Sequence, residues 1–107
     1  MGLTEADAKA LVNEGILSAD YDEHEEAIKF YDKALKIIET SETYLNKGIS
    51  LVELEKYEDA LSSYEKAIEV SPGYADAWYN KAELLKHKGQ DAEAENCFAK
   101  VKELEGE

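Results

Sequence analysis

One nine-residue phrase occurs twice in this chain of 107 residues, as TYLNKGISL at 43–51 and as AWYNKAELL at 77–85. Tyr44 and Trp78 stand 34 positions apart. A weaker copy, LVNEGILS at 11–18, lies 33 positions before Tyr44. The aligned columns are Leu11, Tyr44, Trp78; Asn13, Asn46, Asn80; Gly15, Gly48, Ala82; and Ser18, Leu51, Leu85. A second phrase follows each first one. AIKFYDKALKI at 27–37 matches ALSSYEKAIEV at 60–70, and AENCFAKVKEL at 94–104 is a fainter version. Its columns are Ala27, Ala60, Ala94; Tyr31, Tyr64, Phe98; Ala34, Ala67, Val101; and Ile37, Val70, Leu104. Recurrence at a period of about 20–50 residues marks stacked structural units, none of which can bury its apolar face alone.

The spacing within each phrase is helical. Leu11, Gly15 and Ser18 fall at i, i+4, i+7, as do Ala27, Tyr31 and Ala34, which places each set on one helix face. Short polar links, ADYDEH, ELEKY and KHKGQD, join the two phrases of each unit. Each unit is therefore expected to be a helical hairpin with a tight turn. With a single Pro and six Gly the chain is poor in breakers, as an all-α protein would be. Helices are expected near 4–20, 24–38, 42–54, 57–70, 75–88 and 91–104, with Thr4 capping the first and Asp7 in its first turn. Small residues at Gly15, Gly48 and Ala82 and at Ala27, Ala60 and Ala94 let two helices cross closely, and the aromatic at 31, 64 and 98 fills the space beside the crossing.

These columns resemble the tetratricopeptide repeat, whose motif runs Trp, Leu, Gly, Tyr, then Ala, Phe or Tyr, Ala, Pro. The second unit comes closest, with Tyr44, Gly48, Leu51, Tyr57, Ala60, Tyr64, Ala67 and Pro72; the third has Trp78, Ala82, Leu85, Gly89, Ala94, Phe98 and Val101; the first is degenerate. The resemblance covers nearly the whole chain. It implies a single domain over 1–107 with repeats near 8–40, 41–74 and 75–107, folded as a right-handed superhelical array of three antiparallel helix hairpins. It also implies a protein-binding scaffold whose first helices line a concave groove.

The groove can be laid out by angle, at about 100° per residue. Val12, Ile16, Leu45, Ile49 and Tyr79 form an expected apolar strip, with Glu83 in the place of the third unit's isoleucine; the alternative for Ile16 and Ile49 is partial burial between units, as core. Asn13, Asn46 and Asn80 lie beside it, and family members use Asn there to hydrogen-bond an extended peptide; the alternative is that these residues tie adjacent helices together. Glu42, Glu53, Asp76 and Asp20 make an acidic border, with Lys9 and Lys86 also on this face. Family members that clamp the acidic tail of heat-shock chaperones would need Lys at Val12, Asn at Ile16, Asn at Asn46, Lys at Asp76 and Arg at Asn80. Only Asn46 agrees, and a carboxylate at Asp76 repels an acidic tail. The expected partner is a basic or hydrophobic protein segment.

Charge narrows the partners further. The formal net charge is −13, which disfavours nucleic acid and anionic membranes. No apolar run is long enough to span a bilayer, and MGLTEADAKA has neither a basic start nor an apolar stretch. Cys97 is the only cysteine, which fits a reducing cytoplasmic setting and reads as a packing thiol. His24 and His87 lie in different units, so they form no shared metal site. The serines in GILSAD and SSYEK have no positioned base, and no phosphate loop, Cys cluster or paired-carboxylate motif is present. The expectation is no enzyme, no metal and no cofactor. An alternative to the peptide-binding adaptor is a structural subunit that self-associates.

The outer face of the last unit differs from the others. Ile28 and Leu61 align with Glu95, and Leu35 and Ile68 with Lys102. This reads as a self-capped end; the alternative is a cut from a longer array.

Overall fold

The structure, a computed structural model, describes residues 2–106; Met1 and Glu107, the ends of the expected domain, lie outside it. Six helices follow one another among these residues: α1 (Glu5–Asp20), α2 (His24–Ile37), α3 (Ser41–Glu53), α4 (Tyr57–Val70), α5 (Ala75–His87) and α6 (Asp91–Leu104). No expected helix end is off by more than one residue. Thr4 starts α1 with a reciprocal cap: its Oγ1 accepts from the Asp7 amide at 3.3 Å, and its own amide donates to the Asp7 carboxylate at 2.7 Å. Thr40 caps α3 without the return bond, its Oγ1 accepting from the Thr43 amide at 3.2 Å.

The helices pair as α1 with α2, α3 with α4 and α5 with α6, and each hairpin packs on the next through α2 with α3 and α4 with α5. The stack is elongated, 46 × 28 × 19 Å. Within a hairpin the close crossing lies where small residues recur. A Cβ on Gly15 would stand 2.5 Å from Cε1 of Tyr31, and one on Gly48 2.4 Å from Cε1 of Tyr64. The facing ring occupies the space of the missing methyl, which is why glycine sits mid-helix twice despite costing about 1 kcal/mol against alanine. In the third hairpin Ala82 fills that space, and Phe98 is only half-buried where Tyr31 and Tyr64 are fully buried.

Between hairpins, Leu35 and Ile68 pack with Tyr44, Ala67 and Ala77, while Ile28 and Leu61 lie against a cluster containing Leu45 and Leu84. Ion pairs stitch the same joints: Lys47 to Asp32 at 2.7 Å, Lys81 to Glu65 at 3.5 Å, and Lys88 to Glu58. His24 Nδ1 lies 3.1 Å from the buried Ser50 hydroxyl, fastening α2 to α3. On the outer side of α6, Glu95 and Lys102 are exposed, whereas Ile28, Leu35, Leu61 and Ile68 are half-buried under the following hairpin. Cys97 is buried beside Ala82, Leu85 and Ala94. Burial pushes its thiol pKa up, with Lys81 opposing and Glu93 and Glu65 adding to the rise, so it packs as a neutral thiol.

Candidate functional site

The first helices of the three hairpins lie side by side, α1 touching α3 and α3 touching α5, and their shared face carries two hollows. The first, of about 430 Å³, is lined by Val12, Asn13, Ile16 and Asn46, with Ile38 from the α2–α3 link and Glu5, Lys9 and Glu42 at its mouth. The second, of about 250 Å³, lies between α3 and α5 and is lined by Asn80, Glu83, Val52, Leu84, Tyr57, Tyr64 and His87. Six of the ten expected groove residues are thus gathered into two hollows. Ile49, Glu53 and Tyr79 are exposed outside them.

Leu45 is a correction. It is only 6% exposed and belongs to the core, packed with Leu51, Ala60, Tyr64 and Leu84. The angular layout treats one hairpin at a time, but α5 supplies Leu84 over the flank of α3 on which Leu45 stands. Tyr79, in the same column, has no following hairpin above it and is 48% exposed. Its ring meets Phe98 edge-on, with centroids 5.8 Å apart. The apolar strip is therefore interrupted at its centre, with Val12, Ile16 and Ile49 on one side and Tyr79 on the other.

The asparagines are not equivalent. Asn13 is exposed, and Asn46 is half-buried in the first hollow. Asn80 Nδ2 donates to the Asp76 carbonyl at 2.8 Å, so its amide serves its own helix while the side chain still lines the second hollow. Carboxylates dominate the rim: Asp20, Glu42, Glu53, Asp76 and Glu83 are all exposed, against Lys9 and Lys86. Beneath them lie two buried phenols. Burial, then the Asp20 carboxylate, pushes Tyr31 up to about 12. Tyr64 is raised by burial and by Glu53. Both stay neutral at any ordinary pH.

Several lining residues were missed by the angular layout: Ile38, Val52, Tyr57 and His87. Val52 lies seven residues beyond Leu45 and His87 seven beyond Asn80, so helical spacing alone places them on the same face. Tyr57 stacks obliquely on His87, with ring centroids 5.0 Å apart. No cluster of His, Cys, Asp and Glu able to hold a metal ion occurs among the described residues. No described helix is long and apolar enough to cross a membrane.

Two sequence profiles described as tetratricopeptide repeat match the chain, one over residues 6–73 and one over 51–106. No curated protein matches. Among solved structures, the first TPR of Spaghetti (RPAP3) bound to the HSP90 peptide SRMEEVD superposes with a TM-score of 0.90 at 21% identity, covering 97% of this chain and 83% of that one. The second TPR of the same protein, bound to the same peptide, gives 0.88 at 21% identity and 94% of each chain. The Sgt2 TPR domain from Aspergillus fumigatus gives 0.88 at 25% identity, over 94% of this chain and 67% of that one. Three stacked hairpins, small residues at each crossing and profile matches that each span more than half the sequence lead to one conclusion: the chain belongs to the tetratricopeptide repeat family.

Proposed function

We propose that this chain is a non-catalytic adaptor of the cytoplasm, a single domain of three repeats near 8–40, 41–74 and 75–107, whose concave face takes a basic or apolar peptide segment. The observation that carries this reading is the pairing of exposed apolar side chains, Ile16, Ile49 and Tyr79, with a rim of exposed carboxylates, Glu42, Glu53, Asp76 and Glu83. An amphipathic segment with Lys or Arg beside Leu or Phe meets both demands at once. The face differs from one built to hold an acidic tail. Positions where the chaperone-tail pattern wants Lys, Lys and Arg are Val12, Asp76 and Asn80, and the Asp76 carboxylate adds repulsion.

Fluorescence titration tests this with three labelled peptides: a Lys/Arg–Leu amphipathic peptide, its Glu-substituted counterpart, and SRMEEVD, which the two Spaghetti domains hold. The basic peptide is expected to bind, and to bind more weakly as salt is raised. Glu53→Lys combined with Asp76→Lys should weaken it by roughly tenfold or more, the equivalent of about 1.4 kcal/mol. Asn46→Ala with Asn80→Ala should weaken it too, with the fold retained by circular dichroism. Tighter binding of SRMEEVD than of the basic peptide would overturn the proposal.

A further inference from the structure

The second hollow, between α3 and α5, is walled by acceptors and aromatic rings, and no Lys or Arg lines it. Asn80 turns Nδ2 to the Asp76 carbonyl, which leaves Oδ1, an acceptor, as the uncommitted branch of its amide. Glu83 stands three residues further along the same helix face, exposed. Among the described residues neither Glu83 nor Glu53 has a cationic partner within 4 Å, and Lys88, near in sequence, is held by Glu58. Tyr64 closes the floor. It is 2% exposed, yet its hydroxyl makes no hydrogen bond among the described residues. No side-chain polar atom sealed inside the described residues lacks a partner, so this hydroxyl opens into the hollow rather than into packed protein. Tyr57, seven residues before Tyr64, shares its face of α4, and its ring leans on His87 at 54°. At about 250 Å³ the hollow falls below the roughly 300–1,000 Å³ that holds a drug-sized ligand, and it suits a single side chain.

We propose that this hollow is a pocket for one arginine side chain of the segment bound in the groove. The inference rests on the groove reading and names the side chain that the groove selects and the place where it is held. Charge complementarity carries it: an acceptor-only cavity beside two unpaired carboxylates is matched by a group that is all donors. The planar guanidinium lies on the Tyr57 ring, and its N–H groups donate to the Glu83 carboxylate, Asn80 Oδ1 and the Tyr64 hydroxyl. Its methylene stem packs on Val52 and Leu84. Lysine brings the same charge, but its compact and strongly hydrated ammonium neither stacks nor forks in this way. The first hollow asks for something else. Lys9 at its mouth already opposes Glu5 and Glu42, and Val12, Ile16 and Ile38 line it, so it favours an aliphatic side chain.

A chain of net charge −13 gathers any cation, so the test must separate a pocket from general attraction. The probes are the acetylated amides of arginine, lysine and citrulline, the last keeping the shape of arginine without its charge. Each is titrated into the isotopically labelled chain at fixed salt and followed by amide chemical shifts. Arginine is expected to move Val52, Asn80, Glu83 and His87 to saturation. Lysine should bind roughly threefold more weakly and citrulline roughly tenfold or more. Glu83→Gln should weaken arginine by roughly threefold, with circular dichroism unchanged, while Glu25→Gln on α2 should not. The pocket is overturned if lysine or citrulline binds as well as arginine. It is overturned equally by shifts spread over the acidic residues of all six helices, or by indifference to Glu83→Gln. The Lys/Arg–Leu peptide keeps this apart from the groove reading. If it binds but exchange of each arginine for citrulline costs the same, the groove stands and the pocket falls. If it fails to bind while the arginine amide fills the hollow, the pocket stands and the groove reading falls.

Discussion

A single methyl group added at Gly48 would have to displace the Tyr64 ring, because the nearest ring carbon stands 2.4 Å from where the new Cβ must go. Two effects oppose each other. Alanine is the better helix former by about 1 kcal/mol. Overpacking a tight crossing costs about 1–3 kcal/mol. The ring is buried and held between two hairpins, so the packing term is expected to win. Gly48→Ala should lose about 1 kcal/mol, or about 4–8 °C in Tm for a domain of this size. Tyr64 should move toward the half-exposed position that Phe98 takes beside Ala82. Gly73→Ala, where nothing lies within 4 Å, is the control and should be close to neutral. Thermal melts of both variants check this, and a stabilised Gly48→Ala would show that the crossing has slack. The crossing was legible in the sequence because glycine in the middle of a helix is a standing cost, and its recurrence in two equivalent columns points to a close approach that offsets it. Leu45 was not legible. Its burial depends on Leu84 from another hairpin, which no reading of one helix contains.

At the level of elements, the three turns inside the hairpins share a device that composition conceals. Asp22, Glu55 and Gly89 occupy equivalent positions, with φ of 62°, 59° and 80°. Each is followed by an amide that reaches back to close the helix: Glu23 to the Ser18 carbonyl at 2.8 Å, Lys56 to Leu51 at 2.8 Å and Gln90 to Leu85 at 2.9 Å. This is the Schellman arrangement, which favours glycine at the left-handed position. Only the third hairpin has glycine there, so the links ADYDEH and ELEKY read as polar turns without revealing their backbone. A residue with a Cβ pays about 1–2 kcal/mol in that conformation. Glycine recovers part of it, less the greater freedom it gives the unfolded chain. Glu55→Gly is therefore expected to stabilise by about 0.5 kcal/mol, and Gly89→Ala to destabilise by about 1 kcal/mol. Urea unfolding measures both. Glu55→Gln separates the backbone effect from the loss of one negative charge, and a matching gain in that variant would assign the effect to charge.

Part of the stability of the whole molecule resides at the joints between units, and the groove exists only at this scale. Leu45 and Leu84 share one cluster across the α3–α5 contact, and Tyr44 shares another with Ala77. The ion pairs at the joints add little, since Asp32, Glu65 and Glu58 each keep about half or more of their side chain in water. An array of this kind behaves as a sum of unit stabilities and nearest-neighbour terms. A chain ending at Ser71 keeps two hairpins and loses one joint. It also uncovers Leu61, Ile68 and Leu45 together, an apolar surface that the intact molecule hides. That fragment should unfold at lower urea than the full chain and self-associate on a sizing column with light scattering. Leu61→Glu with Ile68→Lys gives α4 the residues that α6 carries at Glu95 and Lys102. This pair should return the fragment to a single species without restoring the lost stability, because polarity at an outer face governs association while the missing joint governs unfolding. A fragment already monodisperse and as resistant to urea as the full chain would mean that the hairpins stand alone and that the joints merely space them.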